Sequence, residues 1–278
     1  MLKNLIKLIL LVFWPLTFFL ANNTTDFLTY FSISALIFLT FFLFNKKYSF
    51  YLLPLIAIPF IDPKLSAFPI LASAVAWFLE AREPRKLILN WTTAALFLSI
   101  LAVGIQWKEF KNQTVFFSDY EAQQKVLRNI TLYPNVFSAR LFQNKVRIVF
   151  DKFSQNFFAL TDPNNYFFSY HPREGVVSSQ NLVKYPFLGI VYFLFGLFSI
   201  KTLKSRKFIV WIVVALMVSL SVLKIFDRSD FTLWIPLSLV TVYGVDVFYK
   251  ARPRLFRLFS FFFIFFSAIE LIRILVVL

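Results

Sequence analysis

The feature that most restricts this chain is a series of apolar runs, each about 20 residues long, separated by short stretches rich in Lys and Arg. The runs are Leu2–Ala21, Phe27–Phe44, Leu87–Trp107, Tyr185–Ile200, Phe208–Phe226, Phe231–Tyr249 and Leu255–Leu278. A backbone in hydrocarbon has no water to bond, so every N–H and C=O must be satisfied within its own segment, and each run predicts a helix. Composition agrees. Forty Phe residues in 278 are more than one aqueous core can hide, whereas lipid accepts them at no cost. The expectation is an all-α polytopic transmembrane helix bundle.

The stretch Tyr48–Ala81 departs from this pattern. Two shorter apolar runs, Tyr48–Ile61 and Leu65–Ala81, flank Asp62-Pro63-Lys64. Proline disfavours helix at the residue before it, and Asp-Pro starts turns. Pro54, Pro59 and Pro69 add kinks. The reading is a short Pro-kinked helical pair that crosses twice, the alternative being a re-entrant hairpin. Either way the sidedness downstream is the same. With the pair the bundle has about nine crossings, without it about seven.

Lys and Arg in short loops set orientation. With the N-terminus in the cytoplasm, the inner segments carry Lys3 and Lys7, Lys46 and Lys47, Arg82 to Lys86, Lys201 to Lys207, and Lys250 to Arg257. The short outer loops carry only Lys64 and Arg228, with Lys224 close by. The net charge of +15 is thus explained by topology and headgroups, and nucleic acid is not an expected partner. Lys3 and Lys7 before an apolar run are how a signal peptide begins, but Phe19 suits a small-residue cleavage pattern badly, so the run is read as an uncleaved first helix. The chain then divides into N-terminal transmembrane helices (1–107), an extracytoplasmic segment (108–184) and C-terminal transmembrane helices (185–278), in a plasma (inner) membrane.

The outer segment has ordinary soluble composition. Asp119–Leu132 and Val136–Phe158 read as helices. In the second, Phe142, Val146, Val149, Phe153 and Phe157 recur at spacings of three and four, opposite Arg140, Asn144, Arg147, Asp151 and Ser154. Such a helix suits the outer leaflet or a small outer domain. Asp162-Pro163-Asn164-Asn165 is a turn signal, and Tyr166, Phe167, Phe168 and Tyr170 form an aromatic cluster of the kind found at membrane interfaces.

Candidate chemistry concentrates on the same side. In His171-Pro172-Arg173-Glu174, His171 can move a proton with Glu174 orienting it, and Arg173 can clamp a phosphate or carboxylate. Asp26, Asp62, Asp227 and Asp230 end helices at the outer level and could converge on one site as general bases or around a metal ion, although helix capping is the plainer role. The candidate set is therefore Asp26, Asp62, His171 and Glu174 as catalytic groups, with Arg173 and Asp227 for substrate. Zero cysteines and a single histidine exclude thiolate chemistry and any multi-His zinc site, so neither metal nor cofactor is expected. Within the apolar runs, Glu270 and Arg273 are spaced to pair on one face, as are Asp246 and Lys250.

The general plan, with many helices, an outer amphipathic helix and outer acids, is similar to that of polytopic glycosyltransferases that use polyprenyl-phosphate sugars. That resemblance implies a lipid-linked substrate, with Asp26 or Asp62 as base and Arg173 with His171 on the phosphate. Those enzymes place a key acid in a long first outer loop, whereas here the loop is Asn22–Asp26 and Asp26 is its sole acid. The leading expectation is instead a non-enzymatic scaffold or membrane subunit that meets lipid or another membrane protein.

Overall fold

A computed structural model describes residues 2–21, 24–81, 86–117, 120–131, 137, 144–168, 184–224 and 228–277. Among them the fold is all-helical: α1 (Leu2–Ala21), α2 (Thr24–Asn45), α3 (Ile58–Ile61), α4 (Ala67–Ala81), α5 (Lys86–Ile105), α6 (Trp107–Gln113), α7 (Tyr120–Ile130), α8 (Lys145–Thr161), α9 (Gly189–Phe198), α10 (Arg206–Ser221), α11 (Trp234–Ala251) and α12 (Pro253–Val277). Four helices are long and apolar enough to cross a membrane: Leu2–Leu20, Thr24–Asn45, Ser229–Ala251 and Pro253–Val276. The bent pair Asn90–Ile105 and Trp107–Gln113 makes a fifth if it counts as one span. By rise per residue α4, α9 and α10 reach only about 22, 15 and 24 Å, short of a hydrocarbon core of about 30 Å.

The proline-rich stretch resolves into smaller pieces than two crossing helices. Its first run holds a 3-10 turn over Leu53–Ala57 and the single turn α3, because Pro54 and Pro59 remove N–H donors and clash with preceding carbonyls. Its second run is the continuous helix α4. The end of α2 is closed by a Schellman motif in which Lys47 stands at φ 60°, where glycine is usual. The amide of Lys47 donates to the Phe44 carbonyl at 3.0 Å and that of Tyr48 to Leu43 at 3.1 Å.

The chain folds into two compact units, each discontinuous in sequence: Met1–Pro54, Thr161–Val214 and Ser229–Leu278 form one, and Leu55–Leu160 with Ala215–Arg228 the other. In the first unit α11 is central, touching α1, α2, α9 and α12. Ile6, Leu10, Tyr192, Val245, Phe248, Phe256 and Phe263 form its core. The closest approach is between α9 and α11. A Cβ built on Gly244 would lie 1.8 Å from the Tyr192 carbonyl oxygen, and one on Gly196 would lie 2.1 Å from that of Val240. Small residues let two backbones meet in this way, a device of membrane helices that lack a hydrophobic drive to associate.

In the second unit α4 packs along α5, and α6 packs on the 3-10 turn Pro63–Ser66. The chain bends by 82° between α5 and α6. Beyond α6, Thr114 forms an isolated antiparallel bridge with Leu223, with Val115 N–H donating to the Val222 carbonyl at 2.8 Å and Lys224 N–H to Gln113 at 2.9 Å. From α8, the Asn156 amide donates to the carbonyls of Ser221 at 3.2 Å and Leu223 at 2.9 Å. One buried side chain thus satisfies carbonyls that the end of α10 leaves open.

Hydroxyl groups inside the apolar helices bond back to their own helix. Thr17, Ser34, Thr40, Ser99, Thr241 and Ser267 each donate to the carbonyl four residues earlier. This is how a polar side chain is accommodated where water is absent. Between the exposed Arg257 and Arg273, the outward face of α12 is apolar, with Leu258, Phe262, Phe265, Ile269 and Ile272 exposed, while Ser260 and Ser267 face inward.

Candidate functional site

Of the candidate set, two residues are described. Asp26 stands exposed in the first turn of α2, where a carboxylate favours the positive end of the helix dipole. Asp62 is 8 % exposed, and its extended backbone (φ −139°, ψ 106°) sets the side chain to accept the Lys64 N–H at 3.0 Å. It therefore caps the turn that follows, as an Asp before Pro does. Asp26 belongs to the first unit and Asp62 to the second. His171, Arg173, Glu174 and Asp227 lie outside the described residues.

The densest polar cluster of the first unit surrounds the turn Asp162–Asn165. Asp162 accepts the Asn164 N–H at 2.9 Å and caps a 3-10 turn over Pro163–Asn165. Asn165, 4 % exposed, donates its side-chain amide to Asp230 at 3.0 Å. Lys184, 7 % exposed, donates its ammonium to the Asn164 carbonyl at 3.0 Å. A buried ammonium without acceptors would cost several kcal/mol, so its acceptors hold Lys184 in place. The Tyr185 N–H donates to the Tyr166 carbonyl at 2.8 Å, joining the two chain ends that flank residues 169–183.

Tyr185 is wholly buried and links three elements. Its hydroxyl bonds Ser238 and donates to the Trp234 carbonyl at 3.2 Å, both in α11. Its ring meets the Trp14 indole of α1 edge-on at 4.7 Å and stacks on Phe167 at 5.6 Å. Trp14 also contacts Tyr166 and Phe231. Within the aromatic run, Tyr166 and Phe167 are buried against the protein, and of the described rings only Phe168 is exposed. Aromatic spacing looks the same in either setting, so the run alone does not separate them.

Of the two pairs that spacing suggests, Glu270 feels the charge of Arg273, whereas Asp246 is held by residues other than Lys250. Asp246 of α11 binds Lys7 at 2.6 Å and Lys3 at 3.2 Å, both from α1, rather than Lys250. Lys250 points outward, whereas two lysines one turn apart on α1 face the packed side of α11. Glu270 is half-buried. It accepts the Phe187 backbone N–H and feels the Arg273 charge, while its Oε2 is enclosed without a hydrogen-bond partner.

The Asp162 turn was legible in the sequence. Asp230 was legible as an outer acid but its partner Asn165 was not, and Lys184, Tyr185 and Ser238 were not legible at all, because these partners stand 20 to 65 positions away. Chemically, the cluster binds chain to chain: each described hydrogen bond in it joins or closes segments of the protein. Among the described residues no three His, Asp or Glu side chains converge as a metal site. No protein-family profile, curated protein or solved structure matches the chain.

Proposed function

We propose that this chain is a polytopic protein of the plasma (inner) membrane that works without catalysis, as a scaffold or as a subunit meeting lipid and another membrane protein. The observation that carries the reading is where its polar side chains are used. Lys3, Lys7 and Asp246 tie α1 to α11, and Asn165, Lys184, Tyr185, Asp230 and Ser238 tie one outer turn to α11. Meanwhile much of the exposed surface of α5 and α12 is apolar, through Phe97, Leu98, Ile100 and Leu101 on α5 and Leu258, Phe261, Phe265 and Ile269 on α12, with arginines exposed toward the two ends of α12. Polar groups that fasten segments, combined with an outward apolar face, fit a structural membrane component.

Seven to nine crossings belong to the same proposal, with α4, α9 and α10 supplementing the long helices. So does the orientation: N-terminus in the cytoplasm, residues 108–184 outside. The segregation of Lys and Arg supports it. A reporter active only outside the cytoplasm, fused near residue 150, should be active, and an inactive one would overturn the orientation. Gentle detergent extraction of tagged full-length protein should yield a stable complex on native mass spectrometry. A monodisperse monomer free of bound lipid and protein would end the scaffold reading.

A further inference from the structure

We infer that α8 is an interfacial helix that lies in the plane of the bilayer surface, with phospholipid as the partner of its uncovered apolar stripe. The inference rests on the membrane reading above. Three features of the second unit set the level of this helix. First, α5 turns by 82° into α6 at Gln106, so if α5 runs along the membrane normal, α6 runs along the surface. The half-exposed Trp107 sits at that corner in ring contact with Phe110 and Phe117, an arrangement suited to the headgroup region. Second, the Thr114 bridge to Leu223 places the end of α10 beside the end of α6. Third, Asn156 of α8 grips the same end of α10 through the Ser221 and Leu223 carbonyls. The helix is therefore anchored where two apolar helices stop.

Its sides are then assigned by angle. At 100° per residue, Asn156 and Leu160 make a buried edge against the protein. Next to it runs a stripe of Val146, Phe150, Phe153 and Phe157, of which Val146 is 75 % and Phe150 66 % exposed. Arg147, Asp151 and Gln155 follow on the far side, exposed, and the 69 % exposed Phe158 lies among them toward the end of the helix. Protein, apolar surface and water-facing surface thus succeed one another around one helix. That order is expected when a helix lies against a bundle at the membrane surface. Lys145, Arg147 and Lys152 against the single acid Asp151 leave the helix with a surplus of positive charge at the level of lipid phosphates.

The chain contains no cysteine, so single-cysteine labelling needs no prior substitution. Full-length Val146→Cys, Phe150→Cys, Gln155→Cys and a control, Phe97→Cys on the exposed face of α5, would each carry a nitroxide. The proteins would be reconstituted in nanodiscs of phosphatidylcholine and phosphatidylglycerol. Collision with oxygen reports lipid, and collision with a water-soluble nickel chelate reports water. Expected are oxygen-dominated labels at 146, 150 and 97, and a nickel-dominated label at 155, with the ratio several-fold apart between 150 and 155. Nickel access at 150 with oxygen access at 97 would overturn the interfacial helix while leaving the membrane reading intact. Protection of 150 from both reagents would overturn it in favour of a protein partner. Nickel access at 97 would remove the membrane reading itself.

Discussion

Replacing Gly244 by alanine should abolish the folded first unit. The added Cβ would lie 1.8 Å from the Tyr192 carbonyl oxygen and 2.7 Å from the Gly196 nitrogen. Both obstacles are backbone in α9, so no side chain can rotate to make room. The two helices would have to separate, and the core around Tyr192, Val245 and Phe248 would open with them. Overpacking against yielding side chains costs about 1–3 kcal/mol, and a clash with rigid backbone should exceed about 3 kcal/mol. Gly196→Ala meets the Val240 carbonyl at 2.1 Å and should behave alike. Gly104→Ala is the control. Nothing lies within 4 Å of its Cβ, and alanine gains about 1 kcal/mol of helix propensity. Thermal unfolding of the purified variants in one detergent should show Gly104→Ala at or above the parent, and the other two without a cooperative transition. A parent-like transition for Gly244→Ala would mean that the α9–α11 contact is looser than described.

Tyr185→Ala should be the next most damaging change. The side chain is wholly buried between Trp14, Phe167 and α11, and removing such a ring typically costs about 3–5 kcal/mol. Tyr185→Phe separates ring from hydroxyl. It keeps the packing but strands the Ser238 hydroxyl and loses the bond to the Trp234 carbonyl, for about 1–3 kcal/mol. Chemical unfolding should rank parent, Phe and Ala in that order. Limited proteolysis between residues 169 and 183 should quicken in the same order, because the Tyr185 N–H bond to Tyr166 closes the base of that segment. Equal stability of Phe and parent would remove the hydroxyl from the account.

How far each feature could be read from the residues depended on whether its cause is local. The turn at Asp62-Pro63 and the turn at Asp162-Pro163 were both legible, because an Asp side chain reaching the N–H two residues on needs nothing from the rest of the fold. Asp246 was misread, because its lysines are on another helix and 239 positions away for Lys7. That Tyr166 and Phe167 are covered by protein was not legible, because lipid and protein interior accept the same rings. The candidate groups His171, Arg173, Glu174 and Asp227 fall outside the described residues, so their grouping rests on sequence.

The residues alone determined that the chain is helical and apolar on a membrane scale, since a backbone away from water must bond to itself and about 20 apolar residues suffice to do so across a bilayer. Only the tertiary structure decided which face of each helix is inner, where Gly196 and Gly244 let α9 and α11 touch, and that α5 bends at Gln106. The reason is physical. In water an amphipathic pattern marks the buried face, but in lipid both faces are apolar, and periodicity no longer distinguishes core from surroundings.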